Sequence, residues 1–179
     1  DCSEYRKLSP RPDDEARALL QAWRKQRRTL SGVRVERDDS PRKLHEARRA
    51  ALATLAALPQ VDTTRLVAIG FCFGGSVAWR MAQLSDDLDA ASCYYGGYIA
   101  TRFADEAPKC ATITHFGRYD SMVPIEPVEK LIAKQHPTAQ HFIYEAGHGF
   151  NSDRRKDYHP ESADLAKERT LMLFKALGG

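Results

Sequence analysis

Apolar residues recur at helical spacing near the front of the chain: Ala16, Leu19, Leu20 and Trp23 fall at i, i+3, i+4 and i+7, just behind Asp13, Asp14 and Glu15. The spacing predicts an amphipathic helix over Asp13 to Arg28, whose acidic start suits the partial positive charge of a helix N-terminus. Ser31 to Asp39 is polar and irregular, and Ser40-Pro41 then offers an N-cap followed by the residue favoured in a first helical turn. A second helix is expected to run to about Leu58, burying a stripe of Leu44, Ala47, Ala51, Leu55 and Leu58 and stopping before Pro59.

Beyond Pro59 short apolar runs alternate with helical patterns. Strands are expected at Leu66 to Ile69, Ala90 to Tyr95, Cys110 to Phe116 and His141 to Tyr144, and helices at Gly75 to Leu84, Ile125 to Gln135 and Glu161 to Leu177. Such alternation means parallel strands joined by crossover helices. The predicted fold class is therefore α/β, a three-layer sandwich with a mostly parallel sheet and helices on both faces. With 179 residues and no internal repeat, a single domain is expected.

Composition changes this picture little. The apolar share is 42% and the charged share 28%, ordinary for a folded chain and wrong for a disordered one. No apolar run approaches the roughly 18 residues of a membrane span, and Asp1-Cys2-Ser3-Glu4 lacks a basic-then-apolar signal, so a cytoplasmic protein with no membrane partner is expected. The net charge of +3 is concentrated at the front, where Arg24-Lys25-Gln26-Arg27-Arg28 could attract phosphates. Acids interspersed on the same helical pattern favour a solvated face instead, and no nucleic-acid partner is expected. Cys2, Cys72, Cys93 and Cys110 show no metal-binding spacing and are expected as reduced thiols, Cys93 and Cys110 as packing residues. There is no phosphate loop, dinucleotide fingerprint or cluster of metal ligands, so no cofactor or metal is expected. The chain starts without Met, on polar residues, and reads as the C-terminal portion of a longer domain.

Ligands of open parallel sheets bind beyond the carboxyl ends of the strands. Cys72 follows the first predicted strand at the apex of Gly70-Phe71-Cys72-Phe73-Gly74-Gly75. A nucleophile elbow needs small residues two before and two or three after the nucleophile, which here are Gly70, Gly74 and Gly75. Such a turn leaves the Phe73 backbone N–H free to receive an oxyanion at a helix start. A buried, inert cysteine is the competing reading. Asp120, past the strand ending near Gly117, has the residue type that orients an imidazole, or that merely caps a turn. His148 lies between Gly147 and Gly149 after the last strand, a general base or a surface residue. What favours chemistry is the conjunction: nucleophile, acid and base each follow a separate strand, in the chain order of α/β-hydrolases.

Gly-Phe-Cys-Phe-Gly-Gly (70–75), Cys-Tyr-Tyr-Gly-Gly (93–97), His-Phe-Gly-Arg-Tyr-Asp-Ser-Met-Val-Pro (115–124), Ala-Gly-His-Gly-Phe-Asn (146–151) and Ala-Lys-Glu-Arg-Thr (166–170) together resemble the dienelactone hydrolase family. The resemblance covers roughly residue 41 onward. It implies an α/β-hydrolase fold that opens small-molecule esters or lactones, such as the dienelactones of aromatic degradation, through Cys72, His148 and Asp120 with a thioester acyl-enzyme. Phe73 would supply the oxyanion donor. Tyr5-Arg6 resembles the place of a substrate-carboxylate-binding arginine, which makes Arg6 a substrate-binding candidate, and Tyr95 and Phe150 join it. The family's early strands, its second oxyanion donor and the acid that restrains the cysteine have no counterpart here. A monomer or homodimer is expected.

Two rivals stand beside this reading. Gly-x-Cys-x-Gly followed by Tyr158-His159-Pro160-Glu161-Ser162 also resembles a class I glutamine amidotransferase, with Cys72, His159 and Glu161 as its triad. That reading leaves Asp120 and the Gly-His-Gly loop unexplained. The other rival is a truncated, non-catalytic binding module whose first strand, Leu66 to Ile69, is an unpaired edge.

Overall fold

The computed structural model describes residues 64–177 continuously, together with Glu46, Ala50, Ala53–Leu55, Ala57–Pro59 and Val61. The helix expected over Asp13 to Arg28 and the candidate Arg6 lie outside the described residues. Of the second expected helix, Glu46, Ala50 and Ala53–Leu55 are described, and all are helical.

The described elements run β1 (Val67–Phe71), α1 (Phe73–Leu84), β2 (Ala90–Tyr94), α2 (Gly97–Thr101), β3 (Ala111–Gly117), α3 (Ile125–Ala133), β4 (Ala139–Tyr144) and α4 (Pro160–Ala176). The strands form one sheet in the order β1-β2-β3-β4, every pair parallel. All four carboxyl ends therefore point to the same edge of the sheet.

Alternation along β2 builds the layers. Ala91 and Cys93 face a core cluster with Trp79 and Ala82 of α1, Ile99 of α2, and Val128 and Leu131 of α3. Tyr94 faces the other way, into a cluster with Tyr95, Tyr144, Phe150 and Ala166 of α4. Helices thus cover both faces, and β2 is buried at every position. Trp79 is fully buried, its indole N–H donating to the Phe103 carbonyl at 3.1 Å, so its apolar bulk fills the core without an orphaned donor. Cys93 and Cys110 belong to the same core, and burial raises both thiols above the ordinary cysteine range.

The α4 face is held by a polar network as well as by rings. His115 of β3 is fully buried, stacked on Tyr94 with centroids 4.2 Å apart. Its Nδ1 lies 2.8 Å from the Tyr144 hydroxyl and its Nε2 3.2 Å from Thr170 Oγ1 of α4. The Tyr94 hydroxyl donates to the Ala166 carbonyl at 3.0 Å, and Arg169 donates to the Tyr144 hydroxyl at 3.0 Å. Such a network fixes helix register because each buried polar atom left without a partner would cost about 1–3 kcal/mol.

Candidate active site

Cys72 is the single residue between β1 and α1, with φ 55° and ψ −121°, a strained backbone for a residue bearing a Cβ. The turn closes because its neighbours are glycines. A Cβ on Gly70 would lie 1.9 Å from the Gly74 carbonyl oxygen, and one on Gly75 would lie 2.4 Å from that of Tyr94. Gly74 itself faces open space, so the bend needs its backbone close to Gly70 rather than a missing side chain at Gly74. The Cys72 N–H donates to the Tyr94 carbonyl at 3.0 Å, and the Cys72 carbonyl accepts from the Gly75 N–H at 2.9 Å. The helix starts at Phe73, two residues before the expected Gly75, which leaves the Phe73 N–H in the first turn with no acceptor inside the helix.

Asp120, expected either to orient an imidazole or to cap a turn, makes contacts of both kinds. Its Oδ1 accepts from the N–H groups of Met122 and Val123 at 2.8 and 2.9 Å, while its Oδ2 lies 2.7 Å from His148 Nδ1. His148 Nε2 in turn lies 3.3 Å from Cys72 Sγ. Asp120 and His148 are buried and Cys72 is partly exposed, so the sulfur is the accessible end of the row. Gly149 follows at φ 76°, and a Cβ there would meet Arg155 Cδ at 2.6 Å. Glycine thus lets the chain turn directly after the imidazole, under the Arg155 side chain.

Cys72 and His148 open onto a cavity of about 460 Å³ that Phe71, Tyr95, Asn151 and Arg155 also line, while Asp120 lies buried behind His148 and outside that lining. Tyr95 also has positive φ, at 38°, and stands with its ring centroid 4.8 Å from that of His148. Its hydroxyl donates to Asn151 Oδ1 at 2.5 Å, and burial pushes that hydroxyl up to about 12. Phe150 is fully buried behind Tyr95, their centroids 5.8 Å apart, where it supports the cavity wall. Phe73 projects its side chain to solvent against Tyr98.

Asn151 and Phe71 were not singled out by the sequence. Asn151 shares a motif with His148, but nothing local reveals a partner at Tyr95. The other histidine weighed as a base, His159, is the N-cap of α4, its Nδ1 accepting from the Ser162 N–H at 3.3 Å. Among the described residues no group of three or more His, Cys, Asp or Glu side chains could hold a metal ion, and no helix is long and apolar enough to cross a membrane.

Comparison with known proteins points the same way. A Yersinia pestis protein named, provisionally, as a carboxymethylenebutenolidase is 35% identical over 130 residues, which is 65% of this chain and 49% of that protein. A Pseudomonas carboxymethylenebutenolidase is 30% identical over 135 residues, 72% of this chain and 55% of its own length. The crystal structure of a Klebsiella pneumoniae protein, titled provisionally as a dienelactone hydrolase, superposes with a TM-score of 0.63 at 30% identity, covering 72% of this chain and 59% of that one. The chain thus spans about half the length of the curated relatives it matches. The model of the dienelactone hydrolase family matches residues 12–178, nearly the whole sequence, and the chain belongs to that family.

Proposed function

We propose that the chain hydrolyses small carboxylic esters or lactones, with Cys72 as nucleophile, His148 as general base and acid, and Asp120 as the group that orients the imidazole. The observation that carries this reading is the continuous contact from Asp120 Oδ2 through His148 to Cys72 Sγ, at 2.7 and 3.3 Å. A carboxylate only accepts hydrogen bonds, so Nδ1 carries the imidazole proton and Nε2 is left to accept from the thiol. The names of the relatives, carboxymethylenebutenolidase and dienelactone hydrolase, support the substrate class.

The steps follow from these roles. His148 Nε2 takes the thiol proton as Sγ bonds to the carbonyl carbon, and the oxyanion that develops faces the Phe73 N–H. The tetrahedral adduct collapses: its carbon–oxygen bond breaks, and the leaving alkoxide takes the proton from Nε2. In a lactone that alkoxide stays tethered, so the thioester carries its own freed hydroxyl. Water then attacks the thioester carbonyl while giving a proton to Nε2, and the carbon–sulfur bond breaks as the proton returns to sulfur. No oxidant, reductant or metal enters the balance. Phe71 and Tyr95 provide apolar wall for an acyl group, and Arg155 brings a positive charge to the cavity rim.

Hydrolysis of 4-nitrophenyl acetate and of a small unsaturated lactone tests the reading. Cys72→Ala is expected to abolish both, and undiminished hydrolysis in that variant would defeat it.

A further inference from the structure

Tyr95 does more in this site than line a cavity. It occupies the residue after β2, in the left-handed backbone region, and its own N–H is fixed by the His115 carbonyl at 2.7 Å. From there it touches the His148 loop twice: its ring meets the imidazole at 61° between planes, and its hydroxyl donates to Asn151 Oδ1. Phe150, between those two contact points in sequence, is fully buried against the Tyr95, Tyr94 and Tyr144 rings. The loop 146–151 therefore rests on aromatic rings below, and at its far end the Tyr95 hydroxyl holds the Asn151 side chain while the His159 N–H holds the Phe150 carbonyl at 2.9 Å.

We propose that Tyr95 is a positioning residue for His148, its ring setting the tilt of the imidazole and its hydroxyl, latched to Asn151, holding the loop so that Nε2 stays within reach of Cys72 Sγ. The inference rests on the proposed Cys72–His148–Asp120 chemistry. Asp120 fixes His148 only at Nδ1, which leaves the ring free to swing about that hydrogen bond. A second contact on the ring face removes the freedom. Asn151 adds nothing to the chemistry itself but ties the chain three residues beyond His148 back to β2. Strain in the Tyr95 backbone has an account here too: a relaxed turn would carry the ring elsewhere.

Tyr95→Phe keeps the ring and removes the latch, and Asn151→Ala removes its acceptor from a half-exposed position where folding is little at risk. Each is expected to lower kcat for 4-nitrophenyl acetate about tenfold with KM unchanged, because a base displaced slightly from its nucleophile costs rate rather than binding. The double variant is expected to lose no more than either single one, since both break one latch. The same pattern should appear in the rate at which iodoacetamide alkylates Cys72 at neutral pH, a readout that needs no turnover. Wild-type kcat and alkylation in both singles would overturn the inference. So would a raised KM with unchanged kcat, which would put the Tyr95 hydroxyl to work on the substrate rather than on the loop, or losses that multiply in the double variant. His148→Ala separates this inference from its foundation. If that variant keeps wild-type alkylation and hydrolysis, the triad reading itself fails; if it silences both while Tyr95→Phe does not, only the positioning role falls.

Discussion

Asp120 divides its carboxylate between two tasks, with Oδ2 on His148 Nδ1 at 2.7 Å and Oδ1 on the backbone N–H groups of the residues that follow it. The loop after β3 is thereby folded around the same carboxylate that meets the imidazole. An aspartate held by its own turn cannot readily rotate away, so in the proposed reaction the partner of the imidazole is already in place.

Asp120→Asn tests that division. The amide oxygen can still accept from Met122 and Val123, while its NH₂ faces His148 Nδ1 and favours the wrong tautomer. Stability should change little, and kcat for 4-nitrophenyl acetate should fall on the order of a thousandfold or more. A loss under about tenfold would mean that the imidazole does not depend on this carboxylate.

Gly70→Ala should fail for a different reason. Its new Cβ would sit 1.9 Å from a carbonyl oxygen of the turn, a backbone contact that no side-chain rotation relieves. A loss of several kcal/mol in stability, or a turn that opens and carries Cys72 off its partner, is expected. Denaturant unfolding together with Cys72 alkylation reports both. Gly74→Ala, with open space at its Cβ inside the helix, should be neutral or stabilise by up to about 1 kcal/mol.

Thr170→Val keeps the shape of α4 but withdraws the hydroxyl shared by Ser92, Tyr94 and His115. Ser92 Oγ and His115 Nε2 still meet at 3.2 Å and the Tyr94 hydroxyl still donates to the Ala166 carbonyl, so each loses one partner of two and a loss of about 1 kcal/mol is expected in urea unfolding. An unchanged midpoint would show that the network sets register without adding stability.

A fully buried histidine, His115, and a half-buried one, His141, predict how stability depends on acid. Burial lowers His115 from 6.5 to about 3 and His141 from 6.5 to about 4, because desolvation disfavours the imidazolium. Between those values and 6.5 the unfolded chain binds protons that the folded chain refuses. Stability is therefore full above 6.5 and is lost as pH falls toward 4 and then 3, on the order of several kcal/mol in total. Among the described residues His141 Nε2 has no hydrogen-bond partner, so none of them repays a proton there. Urea midpoints measured from neutral pH down to about pH 4.5 should fall steadily, and His141→Gln should flatten part of that slope. A flat wild-type profile would contradict the burial argument.

Much of the architecture was legible because β2 and β3 are short runs dominated by apolar and β-branched residues, and the strands alternate with helical periods. The misses cluster where tertiary pairing overrides local signals. Gly70 and Phe71 read as turn, yet β1 continues through them because they pair with Cys93 and Tyr94 of β2. Phe73 and Gly74 also read as turn, with a helix expected only from Gly75, whereas the helix already begins at Phe73. Ala139 and Gln140 look polar and loop-like, but they pair with Thr112 and Ile113 as the start of β4. The helix Gly97–Thr101 is too short to show a period. Cys72, Asp120 and His148 could be found because each follows its strand in a glycine-marked turn. The Tyr95–Asn151 contact spans 56 residues, and the His115–Thr170 contact 55, with no local signature at either end.

The most direct test of the central claim is to mix the protein with 4-nitrophenyl acetate, quench with acid within one turnover, and map the acetyl group by peptide mass. The account predicts the acetyl group on the peptide containing Cys72, formed rapidly in the wild type and barely at all in His148→Ala. Acetylation confined to other residues, or formed on Cys72 just as fast without His148, would contradict it.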